Sequence, residues 1–149
     1  MPAIEPSQTP KKVIIFSANS SWYLKNFRES TLLRFIEEGF EVVCLAPNDH
    51  STEDLQKLGC KFIHLEMDNK GINIIRDIKL IVKFYKLFRT IKPFAVFNFT
   101  IKNNIYGALA SALTRTTVVS HVTGLGTAII HGGFIGLVVK ILYRISQAF

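Results

Sequence analysis

Ten residues, from Asn19 to Arg28, carry an unusual mixture of side chains directly after an apolar run, Val13-Ile14-Ile15-Phe16. The run suits a strand buried on both faces of a parallel sheet. A dinucleotide site needs glycines at that point, because the backbone must approach a pyrophosphate closely. This chain instead has Asn19, Ser20, Trp22, Tyr23, Asn26 and Arg28. Amides and hydroxyls can bond a polyhydroxylated ligand, and flat aromatics can stack on one. The alternative for Trp22 and Tyr23 is a staple that packs a helix onto the sheet. Their position ahead of the helix's apolar stripe favours the ligand.

Other candidates are sparser. Gly124-Leu125-Gly126 opens like a dinucleotide fingerprint, but Ile129 stands where the third glycine belongs, and there is no Walker-type phosphate loop. With Gly132 and Gly133 nearby, the segment reads either as a loop whose amides face a ligand or as a plain connection. The four histidines are His50, His64, His121 and His131, and none has a spacing that declares a triad or a metal site. Candidate carboxylates are Asp49, Asp68 and, further off, Glu29. So thin an acid–base set is unusual for a complete enzyme.

Arg76, Lys79, Lys83 and Lys86 recur at spacings of three and four, opposite an apolar stripe of Ile74, Ile78, Ile81, Tyr85 and Phe88. The cations form either an ordinary solvated face or one that rests on anionic headgroups. A net charge of +7 also calls for an anionic partner. Nucleic acid is disfavoured, because the aromatics lie in strands and helix cores and no recognition motif occurs. Cys44 and Cys60 read as small buried hydrophobes in a reducing compartment. No run reaches the roughly 18 apolar residues of a membrane span, since Lys140 and Arg144 interrupt the C-terminal stretch.

Alternation of apolar runs and helical periodicities positions these residues. Strands are expected at 13–18, 40–46, 61–66, 94–99 and 117–122, and helices at 23–38, 52–58, 72–91, 104–113 and from 134 onward. Gly39, Gly59 and Pro93 mark helix ends, and Ser51 with Asp54 resembles a capping box. Residues 1–11, with three prolines and no apolar core, read as a flexible lead-in rather than a signal peptide. The fold class is therefore α/β, an open parallel sheet with helices on both faces, and ligands collect outside the carboxyl ends of its strands.

FSANSSWYLKNFR, LGCKFIHLEMDNKGIN, FNFTIKNNIYGALA and HVTGLGTAI, in that order, resemble the N-terminal domain of family-4-like glycosyltransferases. The likeness is greatest to bacterial enzymes of capsule, O-antigen or exopolysaccharide synthesis and covers residues 12–149. It implies the acceptor-side, Rossmann-like half of a GT-B architecture, incomplete at its C-terminus and without the donor domain that binds the nucleotide-sugar. It implies a retaining transfer onto a polyprenyl-diphosphate-linked glycan, no metal or cofactor, and a peripheral position on the inner face of the cytoplasmic membrane. The rival reading is an acceptor-binding, membrane-recruiting subunit of a split enzyme. A nucleotide-binding module of another kind is disfavoured by the glycine-free first loop.

By this resemblance Asn19, Ser20, Trp22, Tyr23, Asn26 and Arg28 line the acceptor side, joined by Thr100, Lys102, Asn104 and Tyr106. Lys25 and Arg28, near a helix start, would meet phosphate. Thr123, Gly124, Leu125 and Gly126 would face the cleft near the sugar diphosphate. His121 lies two residues ahead of the position where relatives carry a histidine at the reaction centre, so the catalytic residue is unassigned.

Overall fold

The computed structural model describes residues 10–68, 71, 73–122 and 132–148. Five strands form one parallel sheet: β1 (Val13–Ser17), β2 (Glu41–Ala46), β3 (Lys61–His64), β4 (Ala95–Phe99) and β5 (Val118–His121). Their order is β3-β2-β1-β4-β5. The register sets Ile15 opposite Val43 on one side and Val96 on the other. β1, the central strand, is buried almost throughout, as its unbroken apolar run requires.

Alternate residues of each strand face opposite layers. Ile14, Phe16, Val42 and Cys44 pack with Leu24, Leu32 and Leu55, under α1 (Ser21–Glu37) and α2 (Thr52–Lys57). Ile15, Val43, Leu45 and Val96 pack with Leu80, Phe84 and Phe88 of α3 (Ile74–Ile91). That second layer also takes Ala110 of α4 (Ala108–Thr114) and Val139 of α5 (Gly133–Ser146). Cys44 and Cys60 are both free and buried, as expected.

Several element ends differ from the sequence reading. Helix α1 begins at Ser21, two residues early, because Ser20 accepts from the Tyr23 amide at 3.1 Å and caps it. Trp22 and Tyr23 thus belong to the first helical turn. Asn73 caps α3 in the same way, through the Arg76 amide. Ser51 makes no side-chain cap; Asp49 accepts its amide instead, at 2.8 Å, and the Thr52 hydroxyl accepts the Asp49 amide. Before α4 the chain makes a π-helical turn over Asn103–Gly107. There Gly107 lies so close to Asn98 that a Cβ would stand 2.6 Å from its amide nitrogen.

Candidate functional site

The order β3-β2-β1-β4-β5 reverses direction between β1 and β4. In an open parallel sheet that reversal opens a crevice at the carboxyl ends of the two strands. Its walls here are the loop after β1, with Asn19 and Ser20, and the loop after β4, with Thr100 and Lys102. The buried Ser17 hydroxyl accepts from the Asn103 amide and ties the walls together. Thr100 donates its hydroxyl to the other end of Asn103 at 2.9 Å. Its φ of 71° is a left-handed conformation that a β-branched residue rarely adopts. Such strain, held by a hydrogen-bonded pair, keeps the loop in one shape.

An aromatic and cationic cluster stands over this crevice. Arg28 lies with its guanidinium 4.5 Å from the ring centre of Phe99 and donates to the Tyr23 hydroxyl at 3.2 Å. Its Nε is buried without a hydrogen-bond partner. Phe99 in turn neighbours His121, with ring centres 5.6 Å apart. A guanidinium laid on an aromatic face, with no carboxylate paired to it among the described residues, can receive an anion's oxygen through its terminal amino groups.

The two first-turn aromatics divide. Tyr23 is half-buried against Phe99 and Phe27 and acts as the staple. Trp22 is 44% exposed and stands at right angles to the exposed Phe27, so much of its ring is open to a ligand. Asn26 donates back to the Trp22 carbonyl at 2.9 Å. The expected phosphate position at the start of α1 is already occupied. Asp49 accepts the Trp22 amide at 2.9 Å, Ser20 takes that of Tyr23, and Lys25 pairs with Glu29 at 2.6 Å. Of the two cations proposed for phosphate there, Lys25 is paired with a carboxylate, whereas Arg28 takes part in none of the ion pairs among the described residues.

The residues from the loop after β4 point into the structure. Lys102 forms a buried ion pair with Asp77 of α3 at 2.9 Å. Asn104 donates to the His121 carbonyl and the Tyr143 hydroxyl. Tyr106 is buried, and burial together with the Asp77 charge holds its hydroxyl pKa far above the usual value. His121 ends β5, exposed, beside Phe99. Thr123, Gly124, Leu125, Gly126 and His131 lie outside the described residues. His64 accepts the Asn48 amide on Nδ1, a structural role.

On α3 the structure corrects the division of faces. Arg76, Lys79, Lys83 and Lys86 are exposed as expected. Ile74, Ile75, Ile78 and Val82, however, are exposed beside them, while Asp77, Leu80, Phe84 and Phe88 face the core. The surface of α3 is thus basic and apolar together. Sequence reading treated Asp77 only as a charge that offsets the basic face, and missed its buried pairing. It also missed Asn103, the residue that joins the two walls; its place one turn after a strand end was the available signal.

No helix among the described residues is long and apolar enough to cross a membrane. Solved structures with this fold include a glycosyltransferase from Rickettsia africae (TM-score 0.62, 11% identity, 75% of this chain and 30% of that one). MurG from Acinetobacter baumannii follows at TM-score 0.58 and 16% identity, over 91% of this chain and 40% of that one. UDP-GlcNAc 2-epimerase from Neisseria meningitidis, solved with UDP-GlcNAc bound, gives 0.60 and 12%, over 93% and 39%. This chain therefore spans less than half the length of each. No curated protein matches it. A family described as glycosyl transferase 4-like matches residues 12–147. That match takes in every described strand and the whole of the last helix, on the Rossmann-like sheet of a GT-B half, and the chain belongs to the glycosyl transferase 4-like family.

Proposed function

We propose that the chain forms the acceptor side of a retaining glycosyltransferase, which moves a sugar from a nucleotide-sugar to a polyprenyl-diphosphate-linked glycan of cell-surface polysaccharide synthesis. Family membership supports sugar transfer. The observation that carries the acceptor reading is Arg28, its guanidinium laid on Phe99 and part of no ion pair among the described residues, with Trp22 exposed in the first turn of the same helix. Diphosphate meets the guanidinium, and a sugar ring stacks on the indole. Asn19 and Ser20 line one wall and Thr100 the other. Asn104 and Tyr106 hold the loop after β4 in place.

In this reading the nucleotide-sugar is held by a second, donor-binding domain, and no metal takes part. Catalysis comes from holding acceptor and donor in line and from stabilising the leaving diphosphate. Arg76, Lys79, Lys83 and Lys86 rest on the anionic inner face of the cytoplasmic membrane, where each contributes about 1 kcal/mol. Ile74, Ile75, Ile78 and Val82 between them enter the interface. The same face favours a second reading, a non-catalytic subunit that recruits acceptor and membrane for a partner enzyme.

Membranes containing the protein are incubated with labelled nucleotide-sugars, and label entering the lipid extract is measured. Arg28→Ala is expected to lower transfer at least tenfold at unchanged protein level, the effect of losing a charged hydrogen bond. Unchanged transfer removes Arg28 from the site. The anomeric configuration of the product, read by NMR coupling, tests retention. Transfer that survives deletion of the protein but no longer fractionates with membranes favours the recruiting subunit.

A further inference from the structure

A cavity of about 400 Å³ lies at the amino ends of β4 and β5, on the opposite edge of the sheet from the crevice. Helices α3 and α4 both end there, and Arg89, Lys92, Phe94, Arg115 and Thr117 are among its lining residues. No carboxylate is among them. Lys12 adds a further cation alongside, 4.6 Å from the ring centre of Phe94.

Cations in the last turn of a helix complement its dipole, and α1 and α2 have them too. There they are matched: Arg34 pairs with Glu38 at 2.6 Å and Lys57 with Asp54 at 3.6 Å. Arg89, Lys92 and Arg115 take part in none of the ion pairs among the described residues. Arg89 donates to the Tyr85 hydroxyl at 3.4 Å, a neutral partner. Several carbonyls at these helix ends are already met by other donors. The Thr114 hydroxyl donates to Ala110 and Ser111, the Arg115 amide to Ala112, and the Lys92 amide to Phe88.

Backbone conformation sharpens the contrast. After α1 and α2 come Gly39 and Gly59, with φ of 87° and 100°, and glycine takes that left-handed conformation freely. After α3 and α4 the left-handed residues are Lys92 and Arg115, with φ of 50° and 54°. A cation is thus kept twice, at one cavity, where glycine would relieve the backbone. Like charges gathered in a concave site repel one another and concentrate an anion.

We infer that this cavity binds a phosphate group, held by Arg89 and Arg115 with Lys92 beside them. Guanidinium groups suit it, because each offers two parallel donors to a phosphate's oxygens. The site lies the length of the strands away from the crevice and does not depend on the acceptor reading. A free phosphate ester and an anionic lipid headgroup share this chemistry, and their relative affinities name the source. Phe94, 54% exposed, offers the lipid an apolar contact that the free ester lacks a group to use.

The chain is titrated at constant ionic strength with inorganic phosphate, glycerol 3-phosphate and monomeric dihexanoylphosphatidylglycerol, and amide NMR shifts are followed. Saturable shifts are expected at Arg89 to Lys92 and at Thr114 to Thr117. Tighter binding of the lipid than of glycerol 3-phosphate names a headgroup as the ligand; equal or weaker binding names a free ester. Lys92→Gly with Arg115→Gly removes two charges at positions that glycine suits, so Tm is expected to be unchanged or higher. This double variant is expected to weaken all three probes about tenfold, as charged hydrogen bonds are lost. Arg89→Gln, at an exposed helical position, is expected to weaken them several-fold and keeps the site testable if the glycine variant unfolds. Affinities equal to wild type in either folded variant overturn the site. Shifts confined to Trp22 and Arg28, shifts spread evenly along the basic face of α3, or a failure to saturate overturn it as well.

Discussion

Asn98 and Gly107 meet in close contact. Both amide atoms of Asn98 are buried without a hydrogen-bond partner, and the missing Cβ of Gly107 is what gives that side chain its room. Alanine usually stabilises a helical position relative to glycine, by up to about 1 kcal/mol. Here the new methyl would lie 2.6 Å from Nδ2 and 2.9 Å from Cγ, in a core that cannot yield. Overpacking of this kind costs about 1–3 kcal/mol and wins. Gly107→Ala is expected to lower Tm by about 2–6 °C, and adding Asn98→Ala to restore most of it. A rise in Tm for Gly107→Ala alone would show that the π-helical turn relaxes.

Among the elements, α3 departs most from what its sequence suggests. An amphipathic reading assigns Ile74 and Ile78 to the core, yet the helix turns Asp77 and Leu80 inward and leaves both isoleucines out. The buried Lys102 pair explains the orientation: breaking such a pair on one side strands a charge, at about 3–5 kcal/mol. Exposing isoleucine costs about 1.5–3 kcal/mol each, so leaving both out offsets about what the pair contributes, and a covering bilayer would remove that cost. Two changes test whether a bilayer is what covers this face. Lys79→Glu with Lys83→Glu is expected to abolish sedimentation with anionic vesicles and to remove its salt dependence. Ile75→Ser with Ile78→Ser is expected to weaken sedimentation at high salt as well, with Tm unchanged. Full binding by both variants would free α3 from any membrane role.

At the scale of the whole molecule, the buried Tyr106 and the half-buried Tyr143 make stability fall in alkali. Burial, and for Tyr106 the Asp77 charge, raises that hydroxyl above its ordinary pKa of 10.0; burial does the same for Tyr143, partly countered by its bond to Asn104. Below that pH both states keep the proton, and the contribution to stability is complete. Above it the unfolded chain loses protons that the folded chain retains, so the unfolded state binds fewer and stability declines as pH rises. Urea midpoints are expected to be level up to about pH 9 and to drop beyond pH 10. Tyr106→Phe is expected to flatten that drop while leaving the shape of the curve at neutral pH unchanged. An equal drop in the variant would assign it to other groups.

The strand and helix order could be read from the sequence because each element carries its own period. Val13 to Phe16 is continuous where β1 is buried on both faces, and Gly39, Gly59 and Pro93 stop helices through local backbone geometry alone. Element ends were less legible where a polar side chain decided them: Ser20 caps α1 early, and Asp49 displaces Ser51 from the cap of α2. The loops after β1 and β4 were likewise picked out as candidates, since a parallel sheet gathers ligands at its carboxyl edge whatever its sequence. Only tertiary structure could decide which side chains there remain free. Lys102 and Arg28 are both cations on candidate loops or helix starts, but Lys102 is drawn 2.9 Å from a carboxylate 25 positions away, while Arg28 is laid on Phe99. Local sequence reports the type of a charge; long-range pairing decides whether that charge is spent inside the fold or left for a ligand, because the partner is brought near only when the sheet has assembled.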